Sequence, residues 1–305
     1  MINCQSSNSE GGKPIMSGTI VLGYDIESAS ENTMGFLEGA VILHDKFKVP
    51  WTIYLTGVTV EKYGDDIRKV VPNPLLTVGQ HTYSHMLLKS IYMKPGDGKP
   101  IHGAQPNFFR QGGALDEIRR EIERTQLIIR ERLGVECRGL TGPWGYYRGL
   151  VDRPDILQIM QDNGIQWIRT NARDQRDCQP TPFTEQPFFY ADQGFPYILE
   201  LGVQGYQDDF YWERFDDRQH GDTYQHYLLA MLSMVSENDW VWNLCSHDHG
   251  TPIKQAFFKT KGMWLEEVIM HAKDIGIRFL SPCELYDEMK RPNQALQRTC
   301  NGACR

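Results

Sequence analysis

No apolar stretch in this sequence approaches the ~20 residues that a membrane-spanning helix needs. Residues 1–17 are rich in Ser, Asn and Gly and have no apolar core of the kind found in a secretory signal. Charge is not clustered either, because 32 Lys and Arg and 39 Asp and Glu, a net charge of −7, are spread without long runs of one sign. We therefore expect a cytoplasmic protein with no membrane span and no nucleic-acid partner, which would require a basic face.

The sequence also lacks an obvious pairing of its cysteines. Their number, seven, is odd, and four of them stand alone in the chain, namely Cys137, Cys178, Cys245 and Cys283. Isolated cysteines are typical of reduced, buried thiols. Cys300 and Cys304 lie in a polar tail, 291–305, with no second ligand pair for a metal. We interpret residues 1–17 and 291–305 as disordered tails and predict a single domain over 18–290.

A nucleotide-binding Gly-x-Gly-x-x-Gly is absent after the first predicted strand, which argues against an open doubly wound sheet. What recurs instead is a helix that ends in glycine and is followed at once by a strand, as at Gly134, Gly164 and Gly276. Repetition of helix, glycine and strand is typical of parallel strands. We predict the α/β class, with a (β/α) barrel of seven or eight parallel strands.

The elements of this barrel are predicted from short apolar runs and from helical spacing. Strands are expected over 20–24, 51–55, 75–80, 137–140, 167–168, 197–201, 240–244 and 279–280. Helices are expected over 33–48, 114–133, 223–236 and 262–273, and residues 58–71 form a polar, amphipathic segment. The Gly- and Pro-rich segment 94–113 is too long for a simple connection, and its length predicts a binding loop or lid.

Polar side chains follow four of the predicted strands. Each group alone has an ordinary structural explanation, such as a helix cap or a turn. Four together favour a functional site, because the chemistry of such barrels lies where the strands end. The residues are, in chain order, Asp25 and Glu27, His81 and His85, the segment 141–148, and His247 and His249 within 245–250.

His81 and His85 are four residues apart. If the chain turns helical after the third strand, their β-carbons lie ~5–6 Å apart on one face. That is close enough to share one Zn²⁺ at ~2.0–2.1 Å, and one carboxylate would complete a three-ligand set that leaves a position for water. A second carboxylate can then act as a base and a separate histidine as an acid, a combination typical of metal-assisted hydrolysis of an amide or ester.

These segments resemble the polysaccharide deacetylase family, the NodB-homology carbohydrate esterases with a deformed (β/α) barrel. The resemblance covers roughly Thr19 to Lys290, with the motifs in the same order. The family's His-Ser/Thr-x-x-His motif is met in full by His81-Thr82-Tyr83-Ser84-His85, and its Asp-x-Asp motif corresponds to Asp25-Ile26-Glu27. Its Arg-x-Pro-x-Gly motif is met only in part by Thr141-Gly142-Pro143-Trp144-Gly145, and its last motif falls at Leu244-Cys245-Ser246-His247.

The resemblance implies a role for each residue. Asp25 corresponds to the catalytic base. Glu27, His81 and His85 correspond to the ligands of zinc, or of another divalent metal such as cobalt or nickel. Because the family normally has Asp at the position of Glu27, its ligation stays open. His247 corresponds to the catalytic acid, with His249 as its rival.

The segment after the fourth strand is implied to bind the substrate and the developing oxyanion, the latter through a backbone N–H at Tyr146. Trp144, Tyr146 and Tyr147 are suited to stack on a sugar ring. The predicted binding residues are Pro143, Trp144, Gly145, Tyr146 and Arg148. Thr141 occupies the place of the family arginine, and the candidates to replace that arginine are Arg138, Arg148 and Arg169.

The implied activity is removal of an N-acetyl group from an amino sugar or a polysaccharide precursor. The partner is then an acetamido sugar, as a small molecule or a glycan, and a homo-oligomer is left open. The alternatives are a cyclic-amide hydrolase, as in the allantoinase-like members of the family, and a degenerate barrel that binds a sugar without turning it over.

Overall fold

The computed structural model of the protein describes residues 18–95, 107–215 and 222–290. The predicted tails, 1–17 and 291–305, lie outside the described residues, and so do Cys300 and Cys304. Most of the predicted loop 94–113 also lies outside them. The four cysteines that the structure describes are free thiols; Cys283 is partly buried and the other three are buried.

Eleven strands are present in the described part of the chain. They are β1 (Thr19–Ile26), β2 (Trp51–Leu55), β3 (Leu76–Gln80), β4 (Ile91–Met93), β5 (Phe108–Arg110), β6 (Gly139–Tyr147), β7 (Trp167–Arg173), β8 (Phe188–Tyr190), β9 (Phe195–Glu200), β10 (Val241–His247) and β11 (Arg278–Phe279).

Helices separate most of the strands. They are α1 (Glu31–Phe47), α2 (Gly57–Val70), α3 (Leu115–Leu133), α4 (Pro154–Asp162), α5 (Asp208–Phe215), α6 (Asp222–Glu237), α7 (Lys254–Lys259), α8 (Lys261–Asp274) and α9, over 282–290.

The central sheet has the strand order β10-β1-β2-β3-β6-β7-β9-β8, with β11 beside β1. All its pairs are parallel except β8 with β9. The eight predicted strands are the eight that run parallel, which confirms the α/β barrel class. The strands β4 and β5, which form a separate antiparallel pair, and β8 were not predicted.

In the described part of the chain, no strand ladder joins the β9-β8 end of the sheet to β10. Hydrogen bonds of side-chain amides link the two instead. Gln186 exchanges two hydrogen bonds with the backbone of Val241, at 2.7 and 3.1 Å. Oε1 of Gln204 accepts from the backbone N–H of Asn243 at 2.9 Å, and the amide of Asn243 donates to the carbonyl of Gly202 at 2.6 Å. The barrel is therefore deformed at this junction, as the family resemblance implies.

The helix α1 illustrates how sequence fixes an element of the barrel wall. It begins at Glu31, two residues before the predicted start, because the hydroxyl of Ser30 caps the free N–H of Asn32 at 3.2 Å. It ends where Lys48 takes a left-handed conformation. Phe36 and Leu43, on its apolar stripe, are fully buried. Among the described residues, no helix is long and apolar enough to cross a membrane.

Candidate active site

Three side chains that follow β1 and β3 meet at one point of a cleft. Oε2 of Glu27 lies 2.8 Å from Nε2 of His81 and 2.9 Å from Nε2 of His85. Both strands pair in parallel with β2, so their carboxyl ends open at the same edge of the sheet. One carboxylate and two imidazoles thus offer ligand atoms that all lie within 4.8 Å of one another.

The histidine pair does not lie on a helix, so the condition that the chain turns helical after the third strand is not met. Residues 81–85 form an irregular turn in which Thr82 and His85 have φ values of 59° and 62°. The carbonyls of Thr82 and Tyr83 accept from the first N–H groups of α2, each at 3.0 Å, because helix N-termini have unpaired donors. This turn, rather than helical spacing, brings the two imidazole centroids to 4.7 Å.

The ring of His81 is oriented by a backbone contact. Its Nδ1 lies 2.9 Å from the carbonyl oxygen of Thr141, so the Nδ1–H tautomer directs the Nε2 lone pair at the cleft. Burial acts to lower the pKa of His81, but the charges of Asp25 and Glu27 outweigh it and raise that pKa. Burial acts to raise the pKa of Glu27, and hydrogen bonds from the surrounding imidazoles hold it well below its usual value.

Asp25 occupies a different environment although it is only two residues from Glu27. It is buried at the end of β1 and accepts a hydrogen bond from Nη2 of Arg169, on β7. Nε of Arg169 donates to Oγ1 of Thr141, on β6, at 2.9 Å. Burial acts to lower the pKa of Arg169, but Asp25 outweighs it and raises that pKa, so the guanidinium stays charged. This pairing fixes the Asp25 carboxylate.

Small residues on neighbouring strands leave room for this arginine. The guanidinium carbon of Arg169 lies 4.4 Å from the ring centroid of Tyr54, within cation–π range. A β-carbon on Gly23 would lie 2.6 Å from Nη1 of Arg169, and one on Gly79 would lie 2.5 Å from the Tyr54 ring. Glycine at these two positions is therefore needed for the stacked pair.

His247, at the end of β10, is the register partner of Asp25 on β1. Its Nε2 is 3.8 Å from Oδ2 of Asp25, and its Nδ1 is 2.5 Å from Oδ1 of Asp208. Oδ2 of Asp208 also accepts from the buried ammonium of Lys261 at 2.8 Å. Burial acts to lower the pKa of His247, but Asp208 and Asp209 outweigh it and raise that pKa to about 10. His247 is therefore protonated at neutral pH.

The rival histidine, His249, lies beside the other carboxylate. Its Nε2 is 2.9 Å from Oε1 of Glu27. Its side chain is 39% exposed, against 10% for His247. Of the two candidate acids, His247 is the one that the structure brings near Asp25.

The cleft around these groups has a volume of about 270 Å³. One wall is aromatic: Trp144 and Phe210, on α5, both line the cleft, and their rings meet edge-on with centroids 6.2 Å apart. The Phe108 ring stacks on Trp144 at 5.2 Å. Arg110, on β5, also lines the cleft, with its guanidinium 5.3 Å from the centroid of Trp144. Glu213 lies on the same wall as Phe210.

Of the five predicted binding residues, two line the cleft and three do not. Trp144 and Gly145 line the cleft, where positive φ values of 69° and 66° turn them out of the regular β6 ladder. A β-carbon on Gly145 would lie 2.2 Å from that of Ala172, so glycine is needed there. Pro143 is buried in the strand and does not line the cleft.

Tyr146 and Arg148 also lie away from the cleft lining. The hydroxyl of Tyr146, a fully buried residue, accepts from the backbone N–H of Leu88 at 2.7 Å. Arg148 is exposed and lines a separate cavity with Asn171 and Glu185. The reason is the irregular register of β6 between Thr141 and Tyr146, which redirects the side chains of the segment and could not be read from its motif.

Comparison with known proteins decides the family. The sequence profile described as polysaccharide deacetylase matches residues 17–168, about half of the chain, including β1 and the histidine pair. The chain belongs to the polysaccharide deacetylase family. No curated protein matches the chain by sequence.

Solved structures of this family and of an allantoinase share the fold. A Mycobacterium smegmatis protein assigned as a polysaccharide deacetylase has 14% identity and a TM-score of 0.61, over 95% of this chain and 96% of that one. Puue allantoinase has 13% identity and a TM-score of 0.59, over 94% and 97% of the two chains. Bacillus subtilis PdaA, a family 4 carbohydrate esterase, has 14% identity and a TM-score of 0.51, over 90% and 82%.

Within the polysaccharide deacetylase family, the chain departs from the usual motifs at Glu27 and Thr141. Arg169 supplies the guanidinium that Thr141 cannot, and the Thr141 hydroxyl accepts one of its N–H groups. Arg138 is exposed and donates to Gln166 instead. Among the three candidate arginines, Arg169 is the one that contacts Asp25 in the described part of the chain.

Several residues of this cleft were not predicted from the sequence. The only sequence signal for Asp208 and Asp209 is that two acids stand together at the start of an aromatic-rich segment. The unpredicted residues around His247 and along the cleft wall are Asp208, Asp209, Lys261, Arg110, Phe210 and Glu213.

The donors at Glu27 fit the divalent cation that this family implies. A borderline cation such as Zn²⁺ prefers imidazole nitrogen and carboxylate oxygen, and three protein ligands leave a position open in catalytic sites. Two imidazoles and one carboxylate converge here, and the tautomer of His81 is already set by Thr141. Glu27, His81 and His85 are thus the residues that would hold the cation.

Proposed function

We propose that the protein is a metal-dependent hydrolase that removes the N-acetyl group from an amino sugar or a polysaccharide-precursor substrate. The observation that carries this proposal is that two carboxylates only two residues apart, Asp25 and Glu27, have different partners. Glu27 lies within 2.9 Å of three imidazoles, those of His81, His85 and His249. Asp25 instead contacts the guanidinium of Arg169 and lies 3.8 Å from Nε2 of His247. Membership of the polysaccharide deacetylase family implies hydrolysis of an amide bond, and these groups suit that chemistry.

A divalent cation held by Glu27, His81 and His85 would polarise the amide carbonyl and make water more acidic. The preferred cation is Zn²⁺, with Co²⁺ or Ni²⁺ as alternatives. Arg169 holds the Asp25 carboxylate at the position from which it can take a proton from the attacking water. The water oxygen then adds to the carbonyl carbon as that proton moves to Asp25.

His247 supplies the second proton transfer. Its Nε2–H faces Asp25 across 3.8 Å, and Asp208 holds its other nitrogen. Protonated at neutral pH, His247 donates to the departing nitrogen as the carbon–nitrogen bond breaks. The products are acetate and a free amine. The proton held by Asp25 passes to solvent and His247 takes a proton from solvent, which restores both groups.

The cleft supports a small substrate or the end of a chain. Its volume, about 270 Å³, lies just below the ~300–1,000 Å³ typical of ligand pockets. Trp144 and Phe210 present aromatic faces on which a sugar ring can stack. We place the reaction in the cytoplasm, where the free thiols of the four described cysteines are stable.

The small cleft also favours a second candidate function, hydrolysis of a cyclic amide. The same base, acid and cation would open a ring instead of releasing acetate. An assay of acetate release from N-acetylglucosamine, its nucleotide-linked form and short chitin oligomers, run beside an assay of ring opening of cyclic amides, tests both. Acetate release by the zinc-loaded protein supports the proposal, and ring opening alone supports the second candidate. Binding of sugars without turnover would identify a degenerate barrel and overturn both.

A further inference from the structure

The two oxygens of the Glu27 carboxylate have separate partners. Oε2 faces Nε2 of His81 and Nε2 of His85, at 2.8 and 2.9 Å. Oε1 faces Nε2 of His249 alone among these imidazoles, at 2.9 Å. His249 is not part of the compact ligand group formed by the other three residues. Its contact is therefore with the carboxylate and not with the position that the three ligand atoms surround.

The backbone around His249 is tied directly to the backbone around Glu27. The carboxylate of Asp248, fully buried, accepts from the backbone N–H groups of Glu27 and Ser28, at 3.3 and 3.1 Å. It also accepts from the hydroxyls of Ser28 and Thr33, at 2.7 and 2.8 Å. In return, the N–H of Asp248 donates to the carbonyl of Asp25 at 3.1 Å. These bonds hold His249 at a fixed place relative to Glu27.

A glutamate at position 27 has more side-chain freedom to lose on binding a cation than an aspartate would have. Its side chain has one more rotatable bond, and each freely rotating bond that must be fixed on binding costs conformational entropy. A hydrogen bond to the oxygen that does not face the cation removes this freedom, since carboxylate ligands are commonly held by such outer partners. His249 is placed to make that bond.

We propose that His249 is a positioning residue for Glu27: its Nε2–H donates to Oε1 and leaves Oε2 to face the cation with His81 and His85. The inference rests on the proposed metal site. It gives the second histidine of Ser246-His247-Asp248-His249 a role distinct from that of the acid. It also explains how the chain uses glutamate where the family has aspartate.

The test is the affinity of metal-free, tag-free protein for Zn²⁺, measured by isothermal titration calorimetry. His249→Ala is expected to weaken Zn²⁺ binding by about 10- to 100-fold, the usual loss when an outer partner of a ligand is removed. His249→Gln, which keeps an N–H donor at a similar reach, is expected to bind within a few-fold of wild type. His271→Ala, at an exposed histidine on α8, is the matched control and is expected to leave affinity unchanged.

The Glu27→Asp variant tests whether His249 acts by positioning the Glu27 carboxylate or through a general effect on the loop. In Glu27→Asp the carboxylate is one methylene shorter and withdraws from His249. Adding His249→Ala to Glu27→Asp is therefore expected to change Zn²⁺ affinity less than two-fold. Circular dichroism melts of each variant report whether the fold is intact.

The outcomes distinguish this inference from the proposed function. Wild-type affinity in His249→Ala would overturn the positioning role and leave the metal site standing. Equal losses from His249→Ala in the wild-type and Glu27→Asp backgrounds would also overturn it. Absence of Zn²⁺ binding by the wild type would overturn the metal site, and the positioning role with it.

Discussion

Oγ1 of Thr141, on β6, accepts a hydrogen bond from Nε of Arg169, on β7, at 2.9 Å. Thr141 stands where the polysaccharide deacetylase motif has arginine, and the guanidinium that contacts Asp25 comes from the adjacent strand instead. The register of the two strands sets Thr141 directly beside Arg169. The guanidinium beside Asp25 therefore comes from β7, and Thr141 on β6 holds it through its hydroxyl.

Replacing this arginine is expected to impair catalysis. Arg169→Gln removes the charge and one of the donors that orient Asp25, and misplacement of a catalytic group by about 1 Å can cost about 100-fold in rate. We expect kcat to fall by about that factor, measured with the substrate found in the acetate-release screen. Arg138→Gln, at an exposed arginine, is the control and is expected to keep the wild-type rate. Equal rates for Arg169→Gln and wild type would remove Arg169 from the mechanism.

Loss of the base is expected to separate turnover from metal binding. Asp25→Asn retains size but cannot accept the proton of water, and general-base catalysis is worth about 100- to 10,000-fold. We expect turnover to fall within that range, while zinc content measured by atomic emission stays near that of wild type. His81→Ala is expected to lose both. A fully active Asp25→Asn variant would show that the base lies elsewhere.

The pH dependence of turnover is expected to follow His247. Its pKa is raised to about 10 by Asp208 and Asp209 against the opposing effect of burial. The acid works when protonated, so activity is present below that pKa and is lost as the pH rises through it. Asp208→Asn removes the nearest negative charge, and we expect the alkaline loss of kcat to move down by about one pH unit or more.

The controls for this pH profile are the two histidine variants. His247→Ala is expected to abolish the alkaline limb together with most of the activity. His249→Ala, assayed at saturating zinc, is expected to keep the limb near its wild-type position. A profile in Asp208→Asn that coincides with that of wild type would contradict the assignment of His247 as the acid.

A buried histidine far from the cleft is expected to make stability pH-dependent. The ring of His44 stacks on Trp51 and contacts the Tyr24 hydroxyl and the Val49 carbonyl, at 2.8 and 2.9 Å. Burial lowers its pKa from 6.5 to about 3. The neutral ring therefore contributes fully to stability above about pH 6.5, and this contribution is lost as the pH falls from there toward 3.

The expected magnitude follows from one extra proton bound by the unfolded chain in that window. Between pH 7 and pH 5, His44 should remove about 2 kcal/mol from the free energy of unfolding. His44→Gln cannot titrate, so its urea-unfolding free energy should fall by about 2 kcal/mol less than that of wild type over the same interval. His271→Gln serves as the exposed control and should behave as wild type. Parallel curves for wild type and His44→Gln would refute the assignment.

The parallel strands were predictable because each is a short apolar run that ends in a turn or a glycine. Bounds such as those of β2 (51–55) agree with the sequence, since all its residues are buried and apolar or Thr. The sequence predicts that this strand ends at Leu140, because Gly142 and Pro143 indicate a turn, whereas β6 continues to Tyr147. Its irregular pairing with β7 depends on contacts that sequence spacing does not record.

The site was predictable where its residues are close in the chain and unpredictable where they are not. The histidine pair and Asp25 with Glu27 are visible as motifs. The partner of Asp25 is 144 residues away, and the partner of His247 is 39 residues away. Nothing local separates Arg169 from Arg138 or Arg148, since only the order of strands in the sheet decides which arginine faces β1.

The central claim is that Glu27, His81 and His85 hold a divalent cation beside Asp25. Anomalous diffraction at the zinc absorption edge, from crystals of the protein grown with zinc, tests this most directly. The account predicts a strong anomalous peak coordinated by Oε2 of Glu27 and by Nε2 of both histidines. A map without a peak there, with the Glu27 carboxylate still hydrogen-bonded to the two rings, would contradict it.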